Sequence, residues 1–152
     1  MNTLIVFLSL LISGLLVGNE MAVAFFIHPV LYSVPEDAHA RVVKPLAGRL
    51  GRFMPPWYAL TLLFAILQLL VEPRGSLSWW LCCAAAVLMA LIIIVTIILL
   101  VPINNRIAGW DLDRLPADWL NMRQRWDLYH RVRVLLLVFV FALLILSAVP
   151  VL

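Results

Sequence analysis

Charge is what this sequence has least of. Asp, Glu, Lys and Arg make up 12% of its 152 residues, against 65% apolar side chains and a mean hydropathy of +1.08. A water-soluble domain usually carries about a quarter charged residues, so a soluble globular protein is excluded. The apolar runs are continuous rather than alternating, which excludes a membrane β-barrel. Cysteine is nearly missing too. Cys82 and Cys83 are neighbours inside an apolar run, the wrong geometry for an ordinary structural disulfide. With no CxxC pair they read as small packing residues. GxSxG, P-loop and GxGxxG motifs are all absent, and with them the familiar nucleophile elbow and phosphate-binding loops. No repeat or low-complexity segment occurs.

What is present is apolar length. At about 20 residues per span, 152 residues hold four transmembrane helices with short loops and no separate soluble domain. The expected fold is therefore all-α: one polytopic domain over residues 1–152, with spans at about 3–33, 53–71, 78–101 and 133–149. Ala22-Val23-Ala24 has the small-x-small pattern of a signal cleavage site. However, Met1-Asn2-Thr3 offers no positive n-region and apolar sequence continues through Ile27, so an uncleaved first span is expected. A polar connector from Pro35 to Arg52 should carry a short interfacial helix. Glu72-Pro73-Arg74-Gly75 reads as a turn, and Pro102 is expected to end the third span. Pro116 suits the first turn of a last helix running to about Ala148. That helix opens with a long amphipathic extension, polar in its first half and apolar in its second.

The basic residues orient the chain. Four Lys/Arg follow the first span, Arg74 follows the second, and six follow the third, which accounts for all 11. The positive-inside rule then places both long connectors in the cytoplasm and both termini outside, in a bacterial-type inner or plasma membrane. The lipid bilayer is thus the first partner. No nucleic acid is expected, because the cations flank spans rather than forming one solvated patch.

An ionisable residue inside a span is costly and usually faces the bundle interior. Glu20 and His28 are those of the first span, and at 1.5 Å per residue Glu20 lies about 12 Å deeper than His28. The third span reaches the same inner surface at Asn104 and Asn105, and the fourth leaves it around His130 and Arg133. Trp119, Arg123, Trp126, His130 and Arg133 recur at steps of four, three, four and three, so they share one helix face. The plainer reading of that stripe is a belt of Trp and Arg at the headgroups. It explains His130 less well. For Glu20 the plainer reading is a partner that fixes helix register. His39, in the basic connector, is expected to be solvated.

Three His and a buried Glu bring copper, iron or zinc to mind. Glu20 and His28 are eight residues apart and no HxxH or ExxH spacing occurs within the spans, so no metal site is expected, with copper or iron kept as the minority alternative. Gly14 and Gly18, extended by Ala22, suit close helix packing within the bundle or between copies, which leaves a homo-oligomer open.

Pro102-x-Asn104-Asn105-x4-Trp110, followed by Arg123-x2-Trp126-x3-His130-x2-Arg133, resembles the DUF1772 family of small four-helix membrane proteins, which includes the fungal anthrone oxygenases. Gly18-Asn19-Glu20 and His28-Pro29 are similar to that family's first helix, and the likeness spans nearly the whole chain. The resemblance implies oxidation of an activated aromatic substrate by O2 without a bound cofactor. In that reading His130 is the base, and Arg123 or Arg133 stabilises the phenolate. Asn104 and Asn105 donate to the carbonyl, and Trp126 and Trp110 flank the rings. Glu20 orients a partner or shuttles a proton, and His28 lines the site. Two other classes stand beside it: a small transporter with Glu20 as its coupling carboxylate, and a non-catalytic membrane subunit whose polar residues only fix packing.

Overall fold

The computed structural model describes residues 3–149. Those residues form four helices and no strand: α1 (Thr3–Leu31), α2 (Glu36–Val71), α3 (Leu77–Ala108) and α4 (Trp119–Ala148). Each is long and apolar enough to cross a membrane. They alternate in direction, so residues 32–35 and 109–118 turn the chain on one side of the bundle and residues 72–76 turn it on the other. The first of these sides carries nearly all the Lys and Arg, and we call it the basic side.

Prolines do not end these helices where expected. α3 continues past Pro102 to Ala108, so Asn104 and Asn105 are helical rather than in a loop. The reason is a π segment, Thr96–Leu100, in which Val101 N–H bonds to Thr96 O five residues back. The widened turn absorbs the clash of the ring and the loss of its N–H. The same device precedes Pro29: in Val23–Ile27 the His28 N–H bonds to Val23 O. Each π segment stops two residues before its proline.

α2 corrects a second expectation. The connector from Pro35 to Arg52 is no loop with a separate interfacial helix but the first half of a 36-residue helix. At 1.5 Å per residue it is about 54 Å long, well beyond a hydrocarbon core of about 30 Å, so its basic half projects past the lipid tails. Glu36 and Asp37 sit in its first turn, where the helix dipole favours negative charge. Pro45, Pro55 and Pro56 lie inside it. A buried stripe along its length, from Ala40 and Val43 through Tyr58 to Ala65 and Gln68, ties it to the other helices, and that packing outweighs the local preference of proline. His39 lies on the stripe and is 3% exposed, not solvated. α4 starts at Trp119; Pro116 lies in the preceding turn, where its carbonyl accepts from Trp119 N–H.

Two apolar cores result. The larger joins all four helices through Leu16, Tyr58, Ala65, Ala85, Met89 and Leu144. Small residues let the helices approach closely there, and Gly14 faces Phe141 so tightly that an added Cβ would meet its ring at 3.1 Å. Gly18 has nothing within 4 Å, so only the first glycine of the GxxxG pair is used inside the bundle. The smaller core, at the basic side, joins Leu31, Val43, Ile107, Trp110, Trp119 and Met122. Phe7, Leu70, Ile98 and Leu135 point outward and are exposed, as a lipid-facing surface requires. Between the two cores lies a polar layer.

Candidate functional site

The layer is built by two antiparallel helices whose polar residues cross. α1 carries Glu20 and, two turns nearer the basic side, His28. α4 carries Asp127 and, one turn deeper, His130. Running in opposite directions, the helices bring deep to deep and shallow to shallow. Glu20 Oε2 lies 3.2 Å from His130 Nδ1, and His28 Nδ1 lies 3.1 Å from Asp127 Oδ1. All four residues are at least 96% buried.

At the deep level Glu20 is saturated. Tyr58 Oη donates to its Oε1 at 2.8 Å, and Arg133 Nη2 donates to its Oε2 at 2.8 Å. The Arg133 guanidinium also sits over the Tyr58 ring. A carboxylate and a guanidinium buried together cancel most of the desolvation that either would suffer alone. At the shallow level Asp127 accepts from Arg123, one turn back on α4, and from Tyr32 Oη, in the connection after α1. Arg123 stacks on Trp126 at 4.6 Å. Burial, then the Asp127 hydrogen bond, pushes the Tyr32 hydroxyl above its ordinary titration range. Trp126 joins the levels: its ring stacks on His130 at 4.7 Å and meets His28 edge-on at 4.9 Å.

A cavity of about 220 Å³ opens beside the deep level. Glu20, Tyr58, Trp126, His130 and Arg133 line it, with Asn104 and Asn105 reaching it from α3. Gly51, Pro55 and Ala59 of α2 and Ile97 of α3 are lining residues that are also exposed, so the cavity opens on the flank of the bundle between α2 and α3. Three residues of its wall carry a buried nitrogen without a partner: His130 Nε2, Trp126 Nε1 and Arg133 Nε. Such groups are costly unless something polar meets them. Two groups meet His130 Nδ1: Glu20 Oε2 at 3.2 Å and Arg133 Nη2 at 3.0 Å. We assign the proton to Nδ1, facing the carboxylate, with the Nη2 hydrogen left on Glu20, so that Nε2 keeps its lone pair free.

The structure thus gathers Glu20, Asn104, Asn105, Trp126, His130 and Arg133 at one cavity. Arg123 and His28 belong to the Asp127 level, and Trp110 lies in the smaller core, 6.1 Å from Trp119, with none of the three on the cavity wall. Tyr58, Asp127 and Tyr32 were not expected. Arg123 and Asp127 are spaced i, i+4, which signals a pair, but Tyr58 and Tyr32 carry no sequence signal. Among the described residues no three His, Cys, Asp or Glu come together as a metal cluster.

A four-helix membrane protein with a carboxylate–histidine pair at a lateral cavity is the class that fold and site define. The sequence profile of the anthrone oxygenase family matches residues 45–143, more than half of the chain, and the protein belongs to that family, DUF1772. The match takes in the cavity residues of α2, α3 and α4; Glu20 and His28 precede it. No curated protein and no solved structure matches.

Proposed function

We propose that the protein is an anthrone oxygenase-like enzyme that oxidises an activated aromatic substrate with O2 and needs no bound cofactor. One observation carries this reading: on the cavity wall, His130 Nδ1 is set against the Glu20–Arg133 pair, 3.2 Å from the carboxylate and 3.0 Å from the guanidinium, while its Nε2 is buried and unpartnered. A carboxylate behind an imidazole fixes the tautomer and stabilises the imidazolium that forms when Nε2 takes a proton. The Trp126 and Arg133 N–H groups beside it are donors for an oxygen that becomes negative.

The chemistry asks for those parts and little else. An anthrone CH2 lies between two rings and is conjugated to a carbonyl, so a base can remove its proton. His130 takes that proton, and the charge moves to the carbonyl oxygen, where Arg133 and Trp126 meet it. The electron-rich anion passes an electron to O2, the two radicals combine to a peroxide anion, His130 returns its proton to the peroxide, and loss of water gives the quinone. One O2 is consumed for each quinone and each water. Asn104 and Asn105, on the α3 wall, hold the substrate from the other side. In the cell the basic side faces the cytoplasm, as the Lys/Arg distribution argues.

The test is O2 uptake by detergent-solubilised protein on a panel of anthrones and hydroquinones, with metal content measured on the same sample. Metal-free turnover that His130→Gln abolishes, in a variant that still inserts and folds, supports the reading. Turnover that survives His130→Gln removes His130 as the base. No uptake by the wild type on any of the panel returns the site to a structural or transport role.

A further inference from the structure

The shallow level is left unused by that chemistry, although it holds a buried carboxylate, a buried imidazole and a half-exposed phenol in one connected group. Asp127 is 4% exposed and His28 1%, whereas Tyr32 is 39% exposed. A buried ion pair needs only Arg123 to neutralise Asp127. His28 and Tyr32 are then surplus to charge balance, and they extend the group in opposite directions: His28 toward His130, Tyr32 toward the surface.

The imidazoles of His28 and His130 have centroids 5.3 Å apart, tilted by 58°. His130 Nε2 has no partner there, so the step between the rings is one for a bridging water or a ring reorientation rather than a direct hydrogen bond. From His28 Nδ1 the gap to Asp127 Oδ1 is 3.1 Å, a transfer distance that a turn of the ring brings into line, since the nitrogen makes no aligned hydrogen bond in its resting position; at the other oxygen Tyr32 Oη donates to Asp127 Oδ2. Each member can both give and take a proton. The nearest cations, Arg123 on Asp127 and Arg133 on Glu20, are engaged by carboxylates, so both levels are neutral with both imidazoles uncharged. An extra proton entering at either histidine is therefore the only net charge in the layer, free to move along it.

We propose that Glu20–His130 and His28–Asp127–Tyr32 form one proton relay, connecting the buried cavity to the basic-side surface. A proton arriving at His130 passes to His28, and His28 gives its Nδ1 proton to Asp127. Asp127 passes a proton to the Tyr32 oxygen as Tyr32 releases its own to water. One proton enters and one leaves, and after the rings, carboxyl and hydroxyl reorient every group has its starting protonation state. Nothing is oxidised or reduced. The cavity mouth faces lipid, so this is the aqueous route by which the cavity base exchanges its proton with water and resets its charge state. Tyr32 and Asp127 act through His28 and are positioning and relay residues, not catalytic ones.

The relay serves the base assigned above, yet its test needs no substrate. With isotope-labelled histidine in detergent micelles, magnetic resonance reads the exchange of the His130 ring N–H with water. Tyr32→Phe keeps the ring that packs edge-on against His39 and removes only the hydroxyl. The expected result is a several-fold slower exchange at His130 and His28 with ring chemical shifts unchanged, and a similar slowing in Asp127→Asn. A merely structural Tyr32 would move shifts or stability, not the exchange rate alone. Unchanged exchange in Tyr32→Phe means protons arrive through the cavity mouth, and the relay is overturned. If Asp127→Asn does not fold, Tyr32→Phe decides by itself. An absence of O2 uptake would overturn the proposed reaction while leaving this result intact.

Discussion

One carboxylate on α1 holds two side chains of α4: Glu20 Oε2 is 3.2 Å from His130 Nδ1 and 2.8 Å from Arg133 Nη2. The contact with His130 orients the imidazole proposed as the base, and the bond to Arg133 neutralises a buried charge. Glu20→Gln keeps the volume and one acceptor oxygen but loses the negative charge that both contacts rest on. Removing one member of a buried pair leaves the other uncompensated, at a cost of about 3–5 kcal/mol. The low end is expected, because Arg133 keeps the face of the Tyr58 ring. Pairing Glu20→Gln with Arg133→Met should recover much of the loss. The measurement is a double-mutant cycle on unfolding in detergent; strictly additive losses would mean that the pair contributes nothing.

The sequence exposed this deep level better than the shallow one, for a physical reason. Helical spacing put Trp126, His130 and Arg133 on one face, and counting depth from the basic end brought Glu20 to the same height. Neither step needs helix rotations. Tyr58 does, since a tyrosine in an apolar span looks alike whether it faces lipid or carboxylate. Asp127 was hidden for another reason. It stands between Arg125 and Arg131, both exposed, in a stretch that resembles any solvated amphipathic helix. His39 misled in the same way: its basic neighbours face out while it faces in. The proline rule failed at Pro102 because a π segment takes up the ring without ending the helix, and no residue type in Thr96–Leu100 announces it.

Gln68 and Ser147 make a prediction against the intuition that buried hydrogen bonds stabilise. Gln68 is fully buried; its Nε2 donates to Ser147 Oγ at 2.8 Å, while its Oε1 has no partner. Ser147 already donates within α4 to Leu144 O at 2.8 Å. Gln68→Met removes the bond and the orphaned oxygen together, so it should be neutral or stabilising by up to about 1 kcal/mol. Ser147→Ala leaves the amide only its longer 3.4 Å bond to Leu144 O and should cost about 1 kcal/mol. Thermal unfolding of the two variants side by side gives the order, and the reverse order sinks this account.

Gly14 and Gly18 should separate. At Gly14 a methyl group meets the Phe141 ring at 3.1 Å, and at Gly18 it meets nothing. Gly14→Ala is expected to destabilise by about 1–3 kcal/mol, as overpacking does, and Phe141→Leu in the same chain should relieve it. Gly18→Ala should leave bundle stability unchanged. If Gly18→Ala instead alters the apparent mass in mild detergent, that glycine packs against a second copy.

Pro102→Ala tests whether the π segment exists to serve the site. Alanine restores the N–H and removes the ring, so Thr96–Leu100 loses its local cause and should relax to α-helix. Relaxation removes the extra residue per turn, which rotates the remainder of α3 by about 100° at 3.6 residues per turn. Asn104 and Asn105 would then leave the cavity wall. Helix stability should rise, by up to about 3 kcal/mol if the packing tolerates the turn. Substrate affinity should fall even though Glu20, His130 and Arg133 on the other helices are untouched. Ligand binding by isothermal calorimetry and unfolding on the same sample read the two effects. A variant that gains stability and binds as well as the wild type would show that the asparagines do not hold the ligand, leaving recognition to Trp126 and Arg133.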